Sequence, residues 1–283
     1  MRTETFSTPG RVRLDIRLGA GEIRLESGAD GETTVTLEPL RDNEGSNAAV
    51  EDARVDLRER GDGYEVVVDV RGPRFSSSEV LVEVRCPAGA DVKAKSGSAD
   101  VEGSGRFGAI EIESGSGDVQ FGEVSGDAKV NAASGDVQIG QVTGEARINT
   151  ASGDVQLGSI DGHGKLNSAS GDVMLRRAGG ALEVNSASGS VAVGEAAESV
   201  SVNTASGDQA INAVAQGKVA LKSASGDLKI GIREGSTLWV DARSRSGEVR
   251  SELPVSDAPP EGDAPHVELR ANTMSGDIEV VRA

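Results

Sequence analysis

Aromatic side chains are nearly absent from this chain of 283 residues. They make up 2% of it and comprise Trp239, Tyr64, Phe6, Phe75, Phe107 and Phe121. Sugar-binding clefts and single-strand nucleic-acid platforms depend on stacking rings, so neither class is supported. Basic charge is also short: 29 Lys and Arg stand against 46 Asp and Glu, a formal charge of −17. Such a surface repels phosphate backbones and anionic lipid, which argues against nucleic acid or membrane as a partner. The one cysteine, Cys86, cannot form an internal disulfide and suits a reducing compartment. Met1 to Phe6 hold no apolar run of signal-peptide type, and no window reaches the ~18 apolar residues of a membrane span. A cytoplasmic location is the expectation, with the cell surface by a non-classical route as the alternative.

What the chain has is glycine, 38 residues of it, together with a regular 36% hydrophobic content that a disordered chain would lack. Ser-Gly-Asp recurs at Ser116, Ser134, Ser152 and Ser170, a period of 18, and continues in step as Ser188-Gly189-Ser190 and Ser206-Gly207-Asp208. It then loosens to Ser225, Ser246 and Ser275, and Asp100 opens the series. Each period splits into two nonads with apolar or small residues at positions four, six and nine: Val119, Phe121, Val124; then Ala128, Val130, Ala133; later Ala146, Ile148, Ala151. Positions two apart share one face of a strand, so each nonad reads as a short strand and a turn. Glycine every few residues excludes a helical stripe.

Position seven alternates between Gly (Gly122, Gly140, Gly158, Gly194) and Asn (Asn131, Asn149, Asn167, Asn185, Asn203), the two residues that tolerate positive φ best, and so reads as a corner. The alternation makes the nonads of a pair unequal, and the coil is therefore 18 residues with two unlike sides. An antiparallel meander explains the nonad but not this alternation. The expected fold is all-β, a parallel, right-handed β-solenoid with strands ~4.8 Å apart. The five asparagines would stack as an amide ladder, with Thr150, Ser168, Ser186 and Thr204 as a hydroxyl ladder beside it.

Residues 1–90 carry longer alternating stretches and no Ser-Gly-Asp, which suggests a small antiparallel β cap ahead of a repeat domain over 91–283. Within them Arg41 to Asp52 reads as a polar loop. A proline-rich insertion at about 252–265 separates the last two coils.

The aspartate row (Asp118, Asp136, Asp154, Asp172) raises the question of a metal. Carboxylates stacked near 5 Å repel by about 1 kcal/mol even in water, so something compensates. Asx-type bonds to the backbone of each aspartate's own turn are one answer; a row of calcium ions, as in Gly-Gly-x-Gly-x-Asp nonapeptide rolls, is the other. The Gly-Gly-x-Gly turn is missing here, so no metal and no cofactor is assigned. Serine repeated in every coil is no singular nucleophile, and His163 and His266 are the only histidines to serve as a base. His163 falls in an exposed turn. Lys129, Arg147, Lys165, Glu183, Lys218 and Lys229 read as a solvated face of mixed sign. No enzyme is expected.

The array Ala-Ser-Gly-Asp-Val, preceded by Gly21-Glu22-Ile23-Arg24-Leu25 and by Glu79 to Gly89 (Glu-Val-Leu-Val-Glu-Val-Arg-Cys-Pro-Ala-Gly), resembles the bacterial putative-adhesin family, a domain of unknown function with β-strand repeats. The resemblance runs over nearly the whole chain and brings no catalytic residues with it. It implies a scaffold or protein-interaction module with a protein partner, or self-association through solenoid ends or edges. A calcium-stabilised or cell-surface adhesin module is the alternative.

Overall fold

The computed structural model describes residues 1–28, 31–61, 63–70, 78–253 and 266–283. Nearly all of the turn-rich 71–78 segment and of the 252–265 insertion therefore lies outside the described residues. The chain divides into two units, Met1–Thr143 and Gly144–Ala283.

The first unit contains β1 (Arg2–Ser7), β2 (Arg11–Ser27), β3 (Glu32–Pro39), α1 (Glu44–Glu51), β4 (Arg54–Arg60), β5 (Gly63–Val70), β6 (Val80–Cys86), β7 (Asp91–Phe107), β8 (Ile110–Ser114), β9 (Val119–Val124), β10 (Ala128–Ser134) and β11 (Val137–Val142). The antiparallel pairings are β1 with β3, β3 with β6 and β4 with β5. Beyond them the unit is a parallel solenoid: β7 pairs with β8 and β9, β8 with β10, and β9 with β11. The solenoid reaches further toward the N-terminus than the repeat does. β2 is itself a full coil, whose first half pairs in parallel with β5, second half with β6, and whole length with β7. Only part of the 1–90 segment is therefore antiparallel. Its alternation (Leu14, Ile16, Ile23 and Leu25 all at most 2% exposed) buries the same inward positions as the later coils without their Ser-Gly-Asp corner.

The expected polar loop after β3 holds the two-turn helix α1. The Asn43 side chain accepts from Ser46 N at 2.7 Å and caps it, while Ser46, Ala49 and Val50 are buried. Two turns are too few to show a helical period in sequence.

The second unit contains β12 (Ala146–Ser152), β13 (Val155–Ile160), β14 (Gly164–Ser170), β15 (Val173–Ala178), β16 (Leu182–Ser188), β17 (Val191–Ala196), β18 (Val200–Ser206), β19 (Gln209–Val214), β20 (Gly217–Ser225), β21 (Leu228–Ile232), β22 (Thr237–Ser246), β23 (Val249–Ser251), β24 (His266–Ser275) and β25 (Ile278–Arg282). Even-numbered strands stack on even and odd on odd, all in parallel; residues 18 apart are in register as far as β18 and β19, as where Asn149 faces Asn167 and Val155 faces Val173, and the offset becomes 19 on β20 and β21. The coil order departs from the chain order at the end. β24 pairs with both β20 and β22, and β25 with both β21 and β23, so the last coil in sequence lies inside the last coil in space.

Two details of the nonad are corrected. No residue other than glycine has positive φ among those described, so position seven is not the corner. The asparagines there lie within strands, and the left-handed backbone belongs to the glycine of Ser-Gly-Asp: Gly171 has φ 119°, and a Cβ on it would stand 2.2 Å from the carbonyl oxygen of Gly153 one coil away. Close stacking of backbone on backbone demands glycine there. The two nonads also bury different positions. Odd strands bend and bury positions four, six and nine (Val119, Phe121, Val124); even strands stay straight and bury four, six and eight. Ala133 and Ala151 are therefore exposed, while Ala132 and Thr150 point inward.

Candidate functional site

On the outer face of the even strands of the second unit, side-chain amides form a continuous chain. Asn167 Nδ2 donates to Asn149 Oδ1 at 2.7 Å, Asn185 to Asn167 at 3.0 Å, and Asn203 to Asn185 at 3.1 Å. Each amide is both donor and acceptor, which is what a one-coil translation requires of a stacked side chain. Asn131 stands on β10 of the first unit, in register with Glu113.

Charges flank the ladder. Arg147 bonds Glu145 at 2.8 Å, and Lys165 lies 3.3 Å from Glu183. Glu183 also accepts from Asn185 at 3.0 Å, and these bonds, the Asn185 amide first and the Lys165 ammonium second, hold its carboxyl below the usual range. Beside them opens a groove of about 600 Å³, whose lining includes Arg147, His163, Lys165, Glu183, Ser199 and Lys218. Gly164 heads β14 where Leu182 and Val200 head the next two even strands; it is buried, and the neighbouring side chains fill its place. A Cβ on Gly164 would meet Leu182 Cδ1 at 2.7 Å. This groove was missed in the sequence, where nothing marks it: Gly164 breaks the apolar rule at position four of its nonad, but that position faces the interior.

The hydroxyls expected beside the ladder point the other way. Thr150, Ser168, Ser186 and Thr204 are 7–8% exposed and line the interior, because neighbours along a strand face opposite sides. Thr204 Oγ1 lies 3.1 Å from Ser223 Oγ and accepts from Gln209 Nε2 at 2.8 Å. Gln209, another departure from apolar position four, is buried to 1% and also donates to the Lys222 carbonyl at 2.8 Å.

The aspartates bond from coil to coil. Asp118 N donates to Asp100 Oδ1 at 2.9 Å and Asp136 N to Asp118 Oδ1 at 2.8 Å in the first unit. In the second, Asp172 N donates to Asp154 Oδ1 at 2.8 Å and Ser190 N to Asp172 Oδ1 at 2.7 Å. One carboxylate oxygen thus bonds the backbone of the next coil, a charge-assisted bond that offsets the stacking repulsion. Among the described residues, no three His, Cys, Asp or Glu side chains converge as a metal cage. His163 and His266 are both exposed, the first in a turn and the second at the start of β24. No helix among the described residues is long and apolar enough to cross a membrane.

A family model described as Toastrack DUF4097 matches residues 12–212 and, a second time, 180–281. Among solved structures, a putative adhesin from Bacteroides fragilis is 15% identical with a TM-score of 0.43, over 99% of this chain and 96% of that one. A putative cell adhesion protein from Clostridium sporogenes is 10% identical with a TM-score of 0.27, over 100% and 99%. A putative adhesin from Parabacteroides merdae is 12% identical with a TM-score of 0.28, over 99% and 95%. No curated protein matches the chain.

Proposed function

The chain belongs to the Toastrack DUF4097 family, and from that premise we propose that it is a non-enzymatic β-solenoid scaffold that docks a protein partner on the outer even-strand face of its second unit. The observation that carries this is the amide ladder from Asn149 to Asn203, whose members are bonded to one another at 2.7–3.1 Å. Side chains held in place by their own stacking lose little rotamer entropy when a partner lands on them, so a flat polar face can bind specifically. Arg147, Lys165 and Glu183 give that face both signs of charge within a chain of formal charge −17, which supports recognition by register over bulk attraction.

The place of work in this proposal is the cytoplasm. Cys86 is buried there without a partner, and burial pushes its thiol up to about 12, out of the reactive range. Fractionation of native cells tests the location. The docking face is tested by affinity capture from the native organism with the wild-type chain and with an Asn167→Lys, Lys165→Glu variant. A partner enriched by the wild type and lost by the equally stable variant supports the face; the same partner held by both removes it.

A further inference from the structure

A second concavity in the same unit, on the side of the odd strands, is built differently from the groove. It holds about 270 Å³ above an alanine floor that includes Ala196, Ala213 and Ala215, and is rimmed by Arg177, Glu195 and Arg233. Arg177 and Glu195 face each other in register on β15 and β17, and the next residue in the column is the short Ala213. Elsewhere such a neighbour pair closes: Arg106 and Glu123 on β7 and β9 meet at 3.1 Å. Here the pair stays open. Among the described residues, the side chains of Arg177, Glu195 and Arg233 form no ion pair or hydrogen bond. Most other arginines of this acidic chain are paired, so two unpaired guanidiniums on one small pocket stand out.

The strands that place the arginines are three coil spacings apart, about 14 Å, and both arginines line the pocket between them. Two forks with a carboxylate between them demand a ligand with two separated anionic groups and a cationic donor. We propose that this pocket binds a small amino dicarboxylate, the class of free acidic amino acids. One carboxylate meets Arg177, the other Arg233, and the ammonium meets Glu195. The alanine floor provides the room, since a longer side chain at Ala213 would fill the gap. This site is independent of the docking face proposed above.

The test is titration of the full chain by calorimetry and by amide shifts with L-glutamate, L-aspartate, succinate, L-lysine and inorganic phosphate. Saturable binding of glutamate or aspartate is expected, weakened about tenfold or more by Arg177→Gln or by Arg233→Gln. Glu195→Gln weakens the amino acids but not succinate, which has no ammonium. All three variants should melt with the wild type, because their side chains are exposed and outside the core. Absence of saturable glutamate and aspartate binding, unchanged affinity in the arginine variants, or equal binding of lysine, phosphate or succinate overturns the proposal.

Discussion

Asp277 donates its backbone N–H to Oδ1 of Asp227, 50 residues earlier, at 2.8 Å, and its own Oδ1 accepts from Glu248 N at 2.8 Å. The staple that elsewhere joins residues 18 or 19 apart thus places the terminal coil, β24 and β25, between two coils that are consecutive in the chain. The first unit makes the same manoeuvre, with β2 held between β5/β6 and β7. In each unit an end coil rests on a segment from the chain terminus.

Removal of residues 266–283 should therefore loosen a segment that precedes the cut. Amide exchange over 237–251 is expected to lose its protection, because β22 and β23 lose the strands they pair with. Undiminished protection there would mean that the end coil redocks on β20 and β21 and that the inserted order carries no stability of its own.

The inter-coil staple predicts a difference between two substitutions at one site. Asp172→Asn keeps an oxygen for Ser190 N and should cost little, whereas Asp172→Ala leaves that N–H without its acceptor and should cost about 1 kcal/mol. Chelator should leave thermal melting unchanged. A calcium row would reverse the outcome: the amide would be as damaging as alanine, and chelator would lower the melting temperature.

Phe121 fits a thin interior because Gly103 is its neighbour one coil away. The two are in register, and a Cβ on Gly103 would lie within 2.4 Å of the ring, which also packs edge-on to Phe107 with centroids 5.4 Å apart. Gly103→Val is expected to destabilise by about 1–3 kcal/mol through overpacking, and Gly103→Val with Phe121→Ala should recover part of the loss. Denaturant midpoints measured for the single and double variants decide this; no recovery in the double variant means that the ring does not set the limit.

Acid should weaken the first unit through Glu111. Its carboxylate accepts from Lys93 at 2.8 Å and from Lys129 at 3.2 Å, in that order of effect, and its pKa is held below the usual range. A folded-state pKa below the unfolded value stabilises at pH above the unfolded carboxylate value, about 4.3, and that contribution fades as pH falls through the lowered one. The group is partly solvated, so the effect is a few tenths of a kcal/mol to about 1 kcal/mol. A Lys93→Met, Lys129→Met variant should show a flatter loss of stability between pH 5 and 3; a curve parallel to the wild type contradicts the assignment.

The parallel stack was legible because a translation by one coil leaves the same residue at the same height. Val155 over Val173 and Asn149 over Asn167 must then be alike, and the repeat of 18 records that constraint directly. The coil β2 was not legible, since its corner uses Gly21, with φ 125° against Val80, in place of Ser-Gly-Asp, and repeats nothing. The groove was not legible: its lining is drawn from several coils, and a hollow among them shows only once those coils are placed.

By itself, the sequence determined the coil length, the inward positions four and six of each nonad, and the identity of the stacked columns, because these depend on spacing along one chain. Only the tertiary structure decided which coil lies on which at the ends, which face each hydroxyl enters, and which charges find partners. A backbone N–H bonds whatever oxygen lies one strand spacing away, and proximity between residues such as Asp227 and Asp277 is set by folding and not by distance along the chain.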